Sequence, residues 1–148
     1  MALSNKKIVL ILVGVGFLVI LVIGGFIGGI IWIVWEATAE PVRVTREHLA
    51  ATTREDYEAA YGYLSPALQA ELPFEEFTEL ARKNPQVYKA ADTTFSNRNI
   101  ENDVCTLRGS VTSVDGGKTS LRVVLVSEGG EWRIREFRWG GGAGEDMF

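Results

Sequence analysis

The sequence predicts an α+β protein: an N-terminal transmembrane helix, then three helices followed by a curved antiparallel sheet of about four strands. Three observations predict it. Residues 8–35 carry no charge and consist only of Ile, Val, Leu, Phe, Gly and Trp. Between residues 42 and 85 apolar side chains recur at helical spacing, and from residue 104 onward they alternate with polar ones at the period of a strand. The expected divisions are a cytoplasmic N-terminus at 1–7, a membrane span at 8–35, an extracytoplasmic domain at 36–139 and a flexible Gly-rich tail at 140–148. A chain of 148 residues has room for one small domain and an appendage, which excludes a multidomain enzyme.

The uncharged run is 28 residues long, beyond the roughly 20 needed to cross a hydrocarbon core of about 30 Å. As a helix it would measure about 42 Å, so it must tilt or continue into the headgroup layer. Trp32 and Trp35 at its end fit the second option, because indoles prefer the interface. Lys6 and Lys7 before its start favour a cytoplasmic N-terminus and an exported C-terminal part. Ala37-Thr38-Ala39 has the form of a signal-cleavage site, but the run is nearly twice as long as the h-region of about 7–15 residues that such signals carry, which favours an uncleaved anchor. Gly24, Gly25, Gly28 and Gly29 form two overlapping G-x-x-x-G spacings, a helix-packing face for self-association or for a membrane protein partner. Glycine is also common in membrane helices without such a role.

Beyond residue 35 lie 13 basic and 19 acidic residues, a net charge of −6, which argues against a nucleic-acid partner. Pro41 can occupy a first helical turn, with Val42, Val44, Leu49 and Ala50 following it in a helix to Thr52, separated from the membrane helix by a short break. Thr53-Arg54-Glu55-Asp56 has the shape of a helix start, and Tyr57, Ala60, Tyr61 and Leu64 then recur on one stripe. Ser65-Pro66 opens another short helical turn. Pro73 opens a segment carrying Phe74, Phe77, Leu80 and Ala81, which Asn84-Pro85 stops.

Strands are expected at Val104 to Ser113, Thr119 to Ser127 and Glu131 to Trp139, joined by turns at Asp115-Gly116-Gly117 and Gly129-Gly130. In the last strand Trp132 and Ile134 share one parity and Phe137 and Trp139 the other, which predicts a bulge near Arg135-Glu136. A weaker first strand lies between Ala91 and Ile100, with Asn97 to Asp103 as a polar connection.

The run Asp56-Tyr57-Glu58-Ala59-Ala60-Tyr61 with Leu64-Ser65, the Glu75-Glu76-Phe77 helix ending at Pro85, and the closing Gly129-Gly130-Glu131-Trp132-Arg133-Ile134 together carry a resemblance. From about Ala39 to Trp139 the chain resembles membrane-anchored or secreted bacterial proteins of the NTF2-like (cystatin-like, SnoaL-like) superfamily. The resemblance implies a cone whose sheet wraps around a helix and leaves a pocket, for which Tyr57, Tyr61, Phe77 and Trp132 are the candidate lining residues. For enzymes of that fold it implies an Asp/His or Asp/Tyr set inside the cone.

The residues supply little of such a set. His48, the only histidine, sits beside Arg46 and Glu47 and reads as a solvated surface residue. Asp56 reads as a helix-start carboxylate rather than a general base. Tyr57, Tyr61 and Tyr63 read as core-packing residues with hydroxyls at the rim. Cys105 follows the core-facing parity and, being single, forms no disulfide within the chain. No metal-ligand spacing occurs, and no catalytic, cofactor or metal residue is assigned. Arg108 and Arg122 share an outward parity on neighbouring strands, with Arg133, Arg135 and Arg138 following: either a basic strip for an anionic partner, or a solvated face balanced by Glu128, Glu131 and Glu136. The expectation for function is a single-pass, membrane-anchored, non-catalytic interaction or ligand-binding module, such as an accessory subunit of a membrane complex. The alternative is a membrane-tethered small-molecule enzyme of the isomerase or dehydratase type using the cone pocket.

Overall fold

Helical periodicity in the first half and strand alternation in the second are both realised in the computed structural model, which describes residues 4–140 and 146–147. The chain divides into two compact units, Met1–Ala37 and Thr38–Phe148.

In the first unit, residues Asn5–Ile30 form a helix long and apolar enough to cross a membrane by length and composition, with none of it buried within the chain. Lys6 and Lys7 are exposed at its start, and Gly24, Gly25, Gly28 and Gly29 have open space where a Cβ would stand. The side chains of Trp32 and Trp35 lie outside the described residues.

The helix α1 is assigned over Asn5–Thr53, and in the second unit its residues 38–53 form the first core element. No break occurs at Pro41, which lies inside the helix. A proline there removes a ladder hydrogen bond, but packing of one face outweighs that loss. The face comprises Thr38, Val42, Thr45, His48, Leu49 and Thr52, all buried. Its threonines are accommodated because their hydroxyls find carbonyls: Thr45 donates to Pro41 O (3.0 Å), and Thr52 to Leu49 O and Tyr88 O (both 2.9 Å). Thr53 therefore ends α1 rather than starting the next helix.

The N-cap of α2 (Tyr57–Gly62) is Asp56, whose carboxylate accepts from Ala59 N at 3.2 Å. Ser65 caps α3 (Pro66–Glu71) in the same way through Leu68 N, and Pro73 precedes α4 (Phe74–Lys83). Asn84-Pro85 both stops α4 and opens a single turn, α5 (Pro85–Tyr88).

The sheet is an antiparallel meander in sequence order: β1 (Ala90–Glu101), β2 (Val104–Ser113), β3 (Lys118–Glu128), β4 (Glu131–Trp139) and the two-residue β5 (Asp146–Met147). β1 is longer than its polar composition suggests. Asn97–Glu101 pair with β2 instead of forming a connection, and the turn shrinks to Asn102-Asp103, with Asn102 at φ 55°. The expected tail falls partly outside the described residues, but Asp146 and Met147 pair with Trp139 and Arg138.

Of the three register shifts in the sheet, one lies at the start of β1 between Ala90 and Asp92, and two interrupt strands farther along. In β1, Phe95 pairs with Gly109 and Asn97 with Arg108, so Ser96 is extra. In β4, Glu136 pairs with Val124 and Ile134 with Leu125, so Arg135 is extra, at the place where the parity change predicts a bulge. Each extra residue lets both halves of its strand face the same core. Gly109 is required at the first bulge, because a Cβ there would stand 1.8 Å from Thr94 O. β4 is tied to the helices through Ser65 N–H donating to Ile134 O (2.7 Å) and Ile134 N–H to Tyr63 O (2.8 Å).

Candidate functional site

The inner side of the sheet closes on aromatic side chains. His48 is 1% exposed, a correction to its expected surface position, with ring centroids 5.7 Å from Phe77, 6.3 Å from Tyr88 and 5.5 Å from Phe137. Tyr88 stacks on Phe137 at 5.7 Å and meets the edge of Trp139 at 5.5 Å. The Nδ1–H of His48 donates to Ala60 O at 2.8 Å. Loss of hydration lowers its pKa to about 4, against the smaller opposing effect of that hydrogen bond, so the imidazole is neutral at pH 7. Burial likewise pushes the Tyr88 phenol far above its ordinary value, and the buried Cys105 thiol up to about 11. His48, Phe77, Tyr88, Phe137 and Trp139 thus form one connected set of ring contacts on the inner side of the sheet.

Of the four candidate pocket residues, Tyr61 and Phe77 are in ring contact at 5.6 Å. The Tyr61 hydroxyl donates to Leu72 O (2.9 Å) and Gln69 O (3.1 Å), which ties α2 to α3. Tyr57 is half-buried under the guanidinium of Arg82, 5.3 Å from its ring, and Trp132 packs partly buried against the core. Tyr63 donates to Glu47 at 2.8 Å, and Asp56 is occupied as a cap.

The outer side of the sheet is different. Register places Arg108 directly opposite Arg122, and Arg122 directly opposite Arg138, so three guanidinium-bearing residues cross three strands in one row. Adjacent strands are about 5 Å apart, which makes the row about 10 Å long. It lines a depression of 430 Å³ together with Ser96, Gly109, Ser120, Leu121, Trp139 and Gly140. Glu136 is the carboxylate of this cluster, 2.6 Å from Arg138 Nε and 3.7 Å from Arg122 Nη1. Neither contact is aligned as a hydrogen bond: the buried Nε of both arginines and Oε1 of Glu136 are without one. Among the described residues, no carboxylate lies within ion-pair distance of Arg108.

The other arginines of the expected strip are engaged elsewhere. Arg133 binds Glu131 at 2.7 Å and the carbonyl of Gly62, and Arg135 binds Glu71 at 2.9 Å. The outward parity of Arg108 and Arg122 is legible in the sequence. The place of Arg138 in the same row depends on the bulge at Arg135, and the contribution of Ser96 depends on the bulge it forms.

A family model described as a domain of unknown function, DUF4864, matches residues 36–138. The chain belongs to this family. The fold of its DUF4864 domain is NTF2-like, as expected from the resemblance. It is similar to the crystal structure of an NTF2-like protein of unknown function from Shewanella oneidensis, with a TM-score of 0.54 and 14% identity over 71% of this chain and 99% of that one. It is also similar to an NTF2-like protein of unknown function from Silicibacter pomeroyi, with a TM-score of 0.53 and 16% identity over 70% of this chain and 94% of that one. Among proteins of curated function, none matches this chain. Among the described residues of the DUF4864 domain, no group of three or more His, Cys, Asp or Glu is placed to hold a metal ion.

Proposed function

We propose that this DUF4864 protein is a single-pass, membrane-anchored binding module whose binding surface is the outer face of its sheet. Residues 1–7 stay in the cytoplasm, 8–35 cross the bilayer, and the domain from residue 36 acts on the far side as an interaction or ligand-binding unit, such as an accessory subunit of a membrane complex. The in-register row Arg108–Arg122–Arg138, open to a 430 Å³ depression, carries this reading. The packing of His48, Phe77, Tyr88 and Phe137 into the cone weighs against the tethered isomerase or dehydratase, which needs that space for substrate. The span rests on the 26-residue helical stretch Asn5–Ile30, which opens with Lys6 and Lys7 and carries no charge after them. The open glycine face offers a route for lateral association.

The test is a mild-detergent pull-down from native membranes with the intact chain and an Arg108→Glu variant, with mass spectrometry of the bound material and of the chain's own N-terminus. The reading expects an intact N-terminus and a stoichiometric companion that the variant loses. A mature N-terminus beyond Ala39 removes the anchor, and a companion retained equally by both chains moves the binding surface away from the arginines.

A further inference from the structure

On the reading that the outer sheet face is the binding surface, we propose that the depression beside Arg108 and Arg122 takes a phosphomonoester. Directly opposed like charges weaken strand pairing, so a row of three arginines opposes the stability of the sheet unless an anion bridges it. Glu136 supplies one negative charge against three positive ones and is held beside Arg138, at the opposite end of the row from Arg108. The residual charge of the cluster is +2, within a domain whose sequence beyond residue 35 carries −6.

That residual charge selects among anions. A monocarboxylate or a phosphodiester supplies a single negative charge, whereas a phosphomonoester carries about −1.5 to −2 at pH 7 and three strong acceptor oxygens. Arg108 and Arg122, opposed across β2 and β3, present guanidinium forks suited to such oxygens. Ser120, which also lines the depression, adds a hydroxyl donor. The 430 Å³ volume lies in the range of about 300–1,000 Å³ typical of small-molecule sites, which leaves room for the organic part of the ester. Two sources offer the same chemistry: a soluble sugar or polyol phosphate, and a lipid whose headgroup ends in a phosphomonoester.

Thermal unfolding of the full chain in phosphate-free non-ionic detergent tests the assignment, with glycerol 3-phosphate titrated at constant ionic strength. A parallel arm adds phosphatidic acid to the micelles, with phosphatidylcholine as its control. A saturable rise in Tm is expected in at least one arm, with apparent affinity at least tenfold weaker in Arg108→Ala and in Arg122→Ala but unchanged in Lys118→Ala, an exposed charge on the same sheet outside the depression. Arg108→Lys, which keeps the charge and loses the fork, is expected to lie between. A response to phosphatidic acid alone assigns the ester to a lipid headgroup, and a response to glycerol 3-phosphate assigns it to a soluble ligand. The proposal is overturned if neither arm raises Tm, if succinate at the same concentration matches the phosphate response, or if Lys118→Ala loses as much as Arg108→Ala. If it is overturned while Arg108→Glu still loses the membrane companion, only the ligand class falls. If that variant keeps the companion as well, the choice of face falls with it.

Discussion

Arg108 and Arg122 occupy directly opposed positions on β2 and β3, on the side of the sheet away from the core. Their repulsion is present whether or not anything binds to them. In phosphate-free, low-salt buffer, Arg108→Thr is expected to stabilise the full chain in detergent by about 0.5 kcal/mol, because it removes the like-charge pair and installs a good strand former. The gain should shrink as salt rises. Urea midpoints at two ionic strengths read both effects, and a variant that is less stable at low salt would mean that the arginine stem contributes more by packing than its charge costs.

Gly109 sits where the bulge at Ser96 brings β1 against β2. Gly109→Ala places a Cβ 1.8 Å from a backbone oxygen, which has no flexible side chain to move aside, and is expected to cost roughly 3 kcal/mol. Gly62→Ala meets nothing within 4 Å at the end of α2 and should be neutral or stabilising by about 0.5 kcal/mol. Equal urea midpoints for the two variants would rule out the close approach at Gly109.

His48 makes stability depend on pH. Its folded pKa of about 4 lies below the unfolded value near 6.5, so between these the unfolded chain binds a proton that the folded chain refuses. Stability therefore falls as pH drops through this interval, by up to roughly 3 kcal/mol once pH reaches 4, and is fully regained above 6.5. His48→Gln, which does not titrate, should be less stable at pH 7.5 and should lose most of the slope between pH 6.5 and 5. Parallel pH profiles for the two chains would show that the imidazole is not held neutral by burial.

Arg135 has no partner on β3, and the bulge that absorbs it lets Phe137 and Trp139, at odd spacing from Ile134, share its side. Deleting it alone leaves a regular ladder in which Phe137 and Trp139 still face the core, so a cooperative unfolding transition is expected to persist. Deleting Arg135 and Glu136 together reverses the parity, turns both aromatics toward solvent and is expected to abolish that transition. Arg135→Ala loses only an exposed ion pair with Glu71 and should cost under about 1 kcal/mol. A normal transition in the double deletion would mean that the strand re-registers elsewhere.

The contrast between Arg135 and His48 shows what was legible. β2, β3 and β4 could be read from strict alternation between glycine turns, and even the β4 bulge followed from the parity of four side chains. The α1 face could not be read from apolar residues alone, since Thr38, Thr45, His48 and Thr52 form much of its buried stripe, and Thr45, His48 and Thr52 satisfy their polar groups on the carbonyls of Pro41, Ala60, Leu49 and Tyr88. β1 was hidden for a related reason. Asn97, Arg98 and Asn99 look like a loop, but an edge strand with one solvated face can carry them, and the extra residue at Ser96 breaks the period that would have revealed it. The arginine row was visible as parity on two strands. Its third member and the depression beside it required the actual register.

Cys105 is the only cysteine in the chain and is fully buried on β2. A thiol-alkylating reagent therefore has nothing to react with while the sheet remains closed over it, and every labelled molecule records at least one opening event. Pulse labelling followed by intact mass measurement would count those events in native membranes, with no fluorophore, tag or denaturant. The chain carries its own clock for spontaneous unfolding, set by a single sulfur atom.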